Sequence, residues 1–133
     1  MVDPWLSIEY AKQIGLENPL YLVPRDAKAA GYRNVLVPET QLFLACRACE
    51  EGSPPRDAAG LPEGFGAVVT GIRTEYRKPV EAGQLFTVRI RRLESPIPPT
   101  ERVQEFHVVE YELTDVDGDV AMCMWLTVAE FRV

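Results

Sequence analysis

Few side chains in this sequence have the types and spacing that catalysis or metal binding requires. The cysteines are the first candidates. Cys46 and Cys49 form a C-x-x-C pair within ETQLFLACRACE, and the chain holds three cysteines and one histidine, His107. A redox pair more usually opens a helix after a strand, where the helix dipole stabilises the thiolate. This pair lies inside an apolar helical stretch, so we expect thiols that pack as small hydrophobic groups. The spacing of the cysteines and His107 matches no zinc pattern, and we predict no metal site.

A second candidate is the segment ENPLY at residues 17–21. Proline restricts the residue before it to extended or turn conformations, so Asn18 and Pro19 predict a tight corner. The corner ends at Tyr21, whose phenol has a usual pKa near 10 and is poorly matched to general base catalysis at neutral pH. The residues leave two interpretations open. Asn18 and Pro19 either only shape the turn or also contact a ligand, and Tyr21 either packs or lines a pocket.

Charged groups supply the remaining candidates. Arg89, Arg91 and Arg92 lie along a predicted strand. They form a solvated face, or they receive the phosphates of a coenzyme A or carrier-protein pantetheine arm. Glu39 and Thr40 stand at the start of an apolar helix and are expected to cap it. His107 lies in the middle of a predicted strand, and we expect it to be a packed or surface residue rather than a base.

The elements that would position these groups begin with helices. Asp3 and Pro4 predict an N-cap followed by a proline at the first helical position, and Gly15 predicts the end of that helix. A short helix is expected over PRDAKAAGY, closed by Gly31. Residues 39–50 predict a helix that is apolar around nearly its whole circumference, which indicates burial on most sides. The first helix places its apolar residues near one face, at Leu6, Tyr10, Ala11 and Ile14.

Strand patterns follow a loop at residues 51–64, which is rich in proline and glycine and expected to be mobile. Alternation predicts four long strands, the first with Val68, Ile72 and Tyr76 on one face. Asp117 and Gly118 predict a type I′ hairpin before the last strand, which is apolar on both faces and so must be covered twice. A bent antiparallel sheet around one apolar helix is the hotdog architecture. The pattern therefore predicts an α+β hotdog fold, with residues 1–133 as one domain.

Composition and charge limit the class of protein. The chain has 133 residues, of which 47% are apolar and 26% charged, as in ordinary globular proteins. Its net charge of −6 disfavours the phosphate backbone of nucleic acids as a partner. The N-terminus lacks a secretory signal pattern, and the longest apolar run is too short to span a bilayer. We expect a soluble cytoplasmic protein without a membrane or nucleic-acid partner and without a cofactor.

Several stretches resemble the MaoC-like dehydratase family, in particular the N-terminal, non-catalytic half of its double-hotdog and two-subunit members. They are IGLENPLY, AKAAGYRNVLVPETQLFLA, EYRKPVEAGQLFTV and TDVDGDVAM. Catalytic members carry an Asp two residues before the Asn and a His two residues after the Pro, which together activate water at an enoyl thioester. Leu16 and Tyr21 hold those positions here, and VPET replaces the family's His-Gly before the central helix. The resemblance implies a hydratase fold without its acid–base pair.

The resemblance also implies a function and a partner. It implies a subunit of an (R)-specific enoyl-thioester hydratase or 3-hydroxyacyl-thioester dehydratase of fatty acid metabolism, which lines the acyl tunnel and pairs with a catalytic hotdog subunit. The thioester is carried by coenzyme A or acyl carrier protein. Two alternatives stay open: a non-enzymatic homodimer that binds acyl thioesters, and a hotdog thioesterase that uses Glu39. The predicted substrate-binding residues are Asn18, Pro19, Tyr21, Tyr32 and Thr40.

Overall fold

The N-terminal part of the chain is helical and the rest forms a sheet. The structure, a computed structural model, describes residues 1–49 and 65–132, so the loop predicted at residues 51–64 lies outside the described part. Within it, none of the helices is long and apolar enough to cross a membrane. The helices are α1 at Pro4–Gln13, α2 at Pro19–Leu22, α3 at Pro24–Ala29 and α4 at Glu39–Ala48.

Local capping sets the bounds of the first helices. The Asp3 carboxylate accepts hydrogen bonds from the amides of Trp5 and Leu6 at 2.9 and 3.1 Å, which satisfies two free amides of the first turn. Gly15 follows α1 with a φ of +79°, and Gly31 follows α3 with a φ of +98°, conformations in which glycine has no steric penalty. The predicted starts and ends of these helices are confirmed.

The buried face of α1 differs from the predicted one. Ser7 and Ala11 are fully buried, whereas Leu6 and Ile14 are 55% and 48% exposed. The small side chains of Ser7 and Ala11 let the helix approach the rest of the protein closely. Periodicity identifies an apolar stripe on a helix, but the neighbouring elements decide which sector is covered.

Four antiparallel strands form one sheet, as the sequence predicts, and the structure gives their order as β1-β4-β3-β2. The strands are β1 at Phe65–Tyr76, β2 at Thr87–Glu94, β3 at Val103–Thr114 and β4 at Val120–Arg132. We call the side of the sheet that faces α4 the inner face and the opposite side the outer face. Thr74 and Tyr111 belong to the inner face, since they hydrogen bond to Glu39 and Arg47 of α4.

A β-bulge between Val69 and Gly71 interrupts the alternation of β1. Cross-strand pairing places Val68 on the outer face, but Ile72 and Tyr76 on the inner face. The prediction that these three residues share a face is wrong, because a bulge adds one residue to a strand and reverses the side on which the following residues lie.

The core lies between the inner face and the helices. Burial of β4 on both faces is confirmed, since Ala121 and Cys123 of the outer face are buried along with Met122 and Met124 of the inner face. Helix α4, in contrast, is not buried on most sides. Only its Leu42 and Cys46 are buried, and Leu44 is 53% exposed. A single sheet covers one side of this helix, and no second layer of the described chain covers the other.

The hairpin between β3 and β4 is confirmed, but its turn is not type I′. Within this turn, Gly118 alone has a positive φ, of +86°, whereas a type I′ turn needs positive φ at both central residues. The amide of Gly118 donates to the carbonyl of Asp115 at 3.1 Å, and the amide of Asp115 donates to the carbonyl of Asp119 at 2.9 Å. These bonds define a longer turn that ends at glycine.

Candidate functional site

The corner at Asn18 and Pro19 is built by its own residues. Asn18 is extended and forms the N-cap of α2, where its Oδ1 accepts from the amide of Leu20 at 3.0 Å. Pro19 occupies the first helical position, where a missing N–H costs nothing. The amide of Tyr21 donates to the carbonyl of Asn18 at 3.0 Å. These contacts close a single helical turn that carries Tyr21.

Tyr21 lines a hollow of about 330 Å³. Backbone bonds hold the opposite wall in place, because the amide of Leu36 donates to the carbonyl of Leu20 and the amide of Val37 donates to that of Val80. The walls are largely apolar, and the lining residues include no His, Asp or Glu. They are Tyr21, Leu36, Val37, Tyr76, Arg77, Lys78, Pro79 and Val80.

Tyr76 contributes a second phenol to this hollow. Burial, followed by the nearby negative charge of Glu39 and the neighbouring Tyr21, raises the pKa of Tyr76 to about 12. The phenol therefore keeps its proton at neutral pH and can donate a hydrogen bond but cannot accept a proton as a base. The described walls of the hollow can hold an apolar chain and donate hydrogen bonds, but they contain no acid–base pair.

Two cations stand at the rim of the hollow, and one of them is neutralised. The Lys78 ammonium contacts Asp119 at 2.7 Å and Asp115 at 3.0 Å. These carboxylates raise the pKa of Lys78, and Lys78 in turn lowers the pKa of Asp115. The pairing ties the β3–β4 turn to the segment after β1. Arg77 has no ion pair among the described residues.

The start of α4 lies beside the same site. The side-chain cap expected from Glu39 or Thr40 is absent, because Pro38 is the N-cap residue and no side chain bonds to the first turn. The Glu39 carboxylate instead accepts from the Thr74 hydroxyl at 3.0 Å, and the Thr40 hydroxyl accepts from the Tyr10 hydroxyl at 2.8 Å. A carboxylate at this position still favours the helix through its dipole.

Of the predicted substrate-binding residues, Tyr21 lines the hollow and the other four do not. Asn18 and Pro19 are exposed at the corner, Thr40 is engaged by α1, and Tyr32 packs against the core. Leu16, at one of the two catalytic positions of the related family, is partly buried after α1. The hollow also uses residues that the sequence analysis did not select for binding. These are Leu36, Val37, Tyr76, Arg77, Lys78, Pro79 and Val80.

The thiols and the histidine lie outside this hollow. Burial and the neighbouring Cys49 raise the pKa of the Cys46 thiol to about 12, so Cys46 is not a thiolate at neutral pH. Burial and the charge of Arg92 lower the pKa of His107, whose Nδ1 lies 3.4 Å from a carboxylate oxygen of Glu130. No group of three or more potential metal ligands occurs among the described side chains.

The predicted arginine candidates are also away from the hollow. Arg91 pairs with Glu110 at 2.6 Å, and Arg92 contacts Glu105 at 3.3 Å. Arg89 and Arg91 are exposed on the outer face of the sheet, whereas Tyr76 lies on the inner face. None of the three lines the hollow.

Comparison with known proteins places this geometry in a family. The family described as FAS1-like, dehydratase domain region, matches residues 8–124. Two curated relatives, each named UPF0336 protein, come from Streptomyces avermitilis and Thermobifida fusca and are 37% identical over 81 and 82 residues. The matches cover 60% and 61% of this chain and 53% of each relative, so the chain spans about half the length of the curated relatives it matches.

Solved structures share the fold. A chain of the HadBC (3R-hydroxyacyl-ACP dehydratase) complex from Mycobacterium tuberculosis has a TM-score of 0.77 at 19% identity, over 97% of this chain and 88% of that chain. A chain named MaoC-like dehydratase has a TM-score of 0.78 at 22% identity, over 100% of this chain and 39% of that chain. A chain of the ChsH1–ChsH2 complex from Mycobacterium tuberculosis has a TM-score of 0.62 at 15% identity, over 98% of this chain and 88% of that chain. The predicted hotdog fold and the resemblance to MaoC-like dehydratases are confirmed.

Proposed function

Because the chain belongs to the family of FAS1-like dehydratase domain regions, we propose that it is a subunit of an (R)-specific enoyl-thioester hydratase or 3-hydroxyacyl-thioester dehydratase that lacks its own acid–base pair. The observation that carries the proposal is the corner. Asn18 and Pro19 keep a fully formed backbone turn, but the two positions at which catalytic relatives hold Asp and His are Leu16 and Tyr21.

The chemistry of the hollow supports a binding role rather than a catalytic one. Hydration of an enoyl thioester needs a group that removes a proton from water and a group that protonates the carbon, each with a pKa matched to neutral pH. The pKa of Tyr76 is raised to about 12, so its phenol stays protonated at neutral pH, and Leu16 has no proton to exchange. The apolar walls at Leu36 and Val37 suit the hydrocarbon part of a substrate.

A catalytic hotdog subunit would complete the enzyme. The HadBC and ChsH1–ChsH2 neighbours are complexes by name, and the first is named a 3R-hydroxyacyl-ACP dehydratase. By analogy, we propose that this chain pairs in the cytoplasm with a hotdog chain that has Asp and His. Its own hollow would form part of the tunnel wall for an acyl chain carried on coenzyme A or acyl carrier protein.

The test is a reconstitution. The chain is purified alone and assayed for hydration of a short and a long enoyl-CoA, and the assay is repeated with a catalytic hotdog chain encoded by a neighbouring gene. We expect no turnover by the isolated chain and turnover by the mixture. Robust hydration by the isolated chain would overturn the proposal.

A matched pair of variants separates tunnel binding from simple pairing. Tyr21→Ala enlarges the hollow and should alter the preference of the reconstituted enzyme for acyl chain length without preventing pairing. Leu85→Ala, which truncates an exposed residue outside the hollow, should leave chain-length preference unchanged. Equal effects of both variants would contradict a tunnel role for Tyr21. Acyl ligand that co-purifies without turnover, with or without a partner, would favour the non-enzymatic homodimer.

One contact favours a second candidate function, an acyl-CoA thioesterase. Glu39 lies at the start of α4, is oriented by the Thr74 hydroxyl at 3.0 Å and is close enough to Tyr76 to raise its pKa. A carboxylate held in this way can activate water for attack on a thioester carbonyl. Hydrolysis of acyl-CoA by the isolated chain that Glu39→Gln abolishes would establish this second function in place of the first.

A further inference from the structure

The outer face of the sheet has a second hollow, of about 400 Å³, which the proposed function does not use. The sheet separates it from α4 and from the inner-face residue Tyr76. Its volume lies within the usual range of small-molecule sites. The lining combines an indole, the isopropyl group of Val108, a hydroxyl and one guanidinium with the backbone of β1. The lining residues are Gly71, Ile72, Arg73, Val108, Trp125 and Thr127.

Trp125 is a fixed wall of this outer hollow. Its indole N–H donates to Glu110 Oε2 at 2.9 Å. The other carboxylate oxygen of Glu110 accepts from Arg91 Nε and Nη2 at 3.0 and 2.6 Å, and Glu110 is only 8% exposed. Because the protein's own side chains supply these bonds, they fix the indole orientation, and less conformational entropy is lost on binding.

Arg73 places an uncompensated cation at the edge of the outer hollow. Its guanidinium carbon lies 4.3 Å from the centre of the Trp125 ring. Among the residues that the structure describes, no carboxylate lies within ion-pair distance of Arg73. A guanidinium held on an aromatic ring keeps its planar array of N–H donors, which matches the two oxygens of a carboxylate.

The floor of the outer hollow exists because residue 71 has no side chain. Gly71 pairs with Thr127, and a Cβ built at Gly71 would lie 3.8 Å from Thr127 Cβ and Oγ1, an ordinary van der Waals distance. Gly71 is not among the glycines with positive φ, so the backbone does not require glycine here. The position can therefore be filled without backbone strain.

We propose that the outer hollow binds a small monocarboxylate with a planar apolar body. The apolar body would lie over Gly71 against Trp125 and Val108, and the carboxylate would pair with Arg73. The single guanidinium of Arg73 matches one negative charge. The net charge of −6 on the chain disfavours ligands that carry several negative charges.

The two tryptophans allow a direct test by ¹H–¹⁵N NMR with 2-naphthoate as the probe. The Trp125 indole N–H signal should shift on titration, whereas the signal of Trp5, which is 66% exposed, serves as the internal reference. The neutral amide 2-naphthamide should bind roughly tenfold more weakly, because it lacks the charge that pairs with the guanidinium. No Trp125 shift at millimolar 2-naphthoate, or equal binding of acid and amide, would overturn the proposal.

Variants locate the site. Gly71→Leu should abolish the Trp125 shift, and Gly71→Ala, the milder change, should reduce it if the larger variant fails to fold. Arg73→Gln should remove the preference for the acid over the amide. Arg89 is a cation of the same face that does not line the outer hollow. The variant Arg89→Gln should therefore bind 2-naphthoate as the wild type does. The proposal would be overturned if Arg73→Gln and Arg89→Gln weakened 2-naphthoate binding equally. It would also be overturned if the Trp125 signal shifted with protein concentration but not with added 2-naphthoate.

Discussion

At the scale of single residues, Leu16 and Tyr21 are the side chains to restore first. Leu16→Asp with Tyr21→His places the catalytic pair of related hydratases on a turn that Asn18 and Pro19 already form. We expect a folded but nearly inactive chain, measured as hydration of crotonyl-CoA. Acid–base groups contribute only about 10²–10⁴-fold to catalysis, and Pro38 has no N–H to donate at the start of α4.

A new carboxyl at position 16 would also be partly buried, which raises its pKa and weakens the fold. Circular dichroism of the double variant is the control for folding. Turnover of crotonyl-CoA on the order of 10 per second, a typical enzyme rate, would show that the chain lacks only these two side chains.

The Glu110 carboxylate gives a residue-scale prediction about stability. Arg91 and Trp125 bond to it and keep its pKa below the usual range. Glu110→Ala leaves the guanidinium and the indole N–H unpaired and should cost about 1–2 kcal/mol of unfolding free energy at pH 7. Glu112→Ala, two positions along β3 and without a charged partner among the described residues, should change it by less than about 0.5 kcal/mol.

The effect of Glu110→Ala should depend on pH. A carboxylate whose pKa is lower in the folded state stabilises the fold above its unfolded pKa, and that stabilisation is lost as the pH falls through the folded value. The difference between Glu110→Ala and the wild type in urea unfolding should therefore shrink below pH 4.5, the ordinary value for this group. A difference that is constant from pH 7 to pH 3 would contradict this assignment.

At the scale of elements, α4 is covered on one side only, and two leucines test this. Leu42 is 2% exposed and Leu44 is 53% exposed, two positions apart on the same helix. Leu42→Ala should lower the unfolding free energy by about 3 kcal/mol, because it removes buried apolar area and leaves a cavity. Leu44→Ala should change it by less than about 0.5 kcal/mol. Both variants are measured by thermal unfolding, and equal losses of unfolding free energy would contradict one-sided packing of α4.

At the scale of the whole molecule, the edge strand β1 is the surface that a monomer leaves exposed. Ile72 and Tyr76 lie on its inner face and are 50% and 45% exposed, and Leu44 of α4 is exposed as well. Apolar side chains on an unpaired strand edge promote pairing with another chain. We predict that the protein is not a stable monomer, and a monodisperse monomer at micromolar concentration in light scattering would contradict this.

Ile72→Lys should shift the light-scattering mass toward the monomer, because a charge on the strand edge opposes edge-to-edge pairing. Val116→Lys is the matched control. Val116 is an apolar residue that is 77% exposed on the β3–β4 turn, away from the strand edge. A similar shift in both variants would indicate a general effect of charge rather than pairing through β1.

The features that the sequence predicts correctly depend on contacts within a few residues. Asp3 caps α1 through amides two and three positions away, and the Asn18–Pro19 corner depends on the conformational limits of proline and on the bond from Leu20. Four strands and the hairpin at Gly118 follow from alternation and from the need for positive φ. The family resemblance at the corner is likewise a property of consecutive residues.

Only the tertiary structure decided which surfaces are covered. The buried sector of α1, the one-sided packing of α4 and the reversal of faces at the Val69–Gly71 bulge all depend on neighbours distant in sequence. The two hollows join residues from separate elements, such as Tyr21 with Tyr76 and Gly71 with Val108. Local propensities specify an element and its ends. Which of its sides meets the core depends on packing of the whole chain, because burial is a property of the assembled fold.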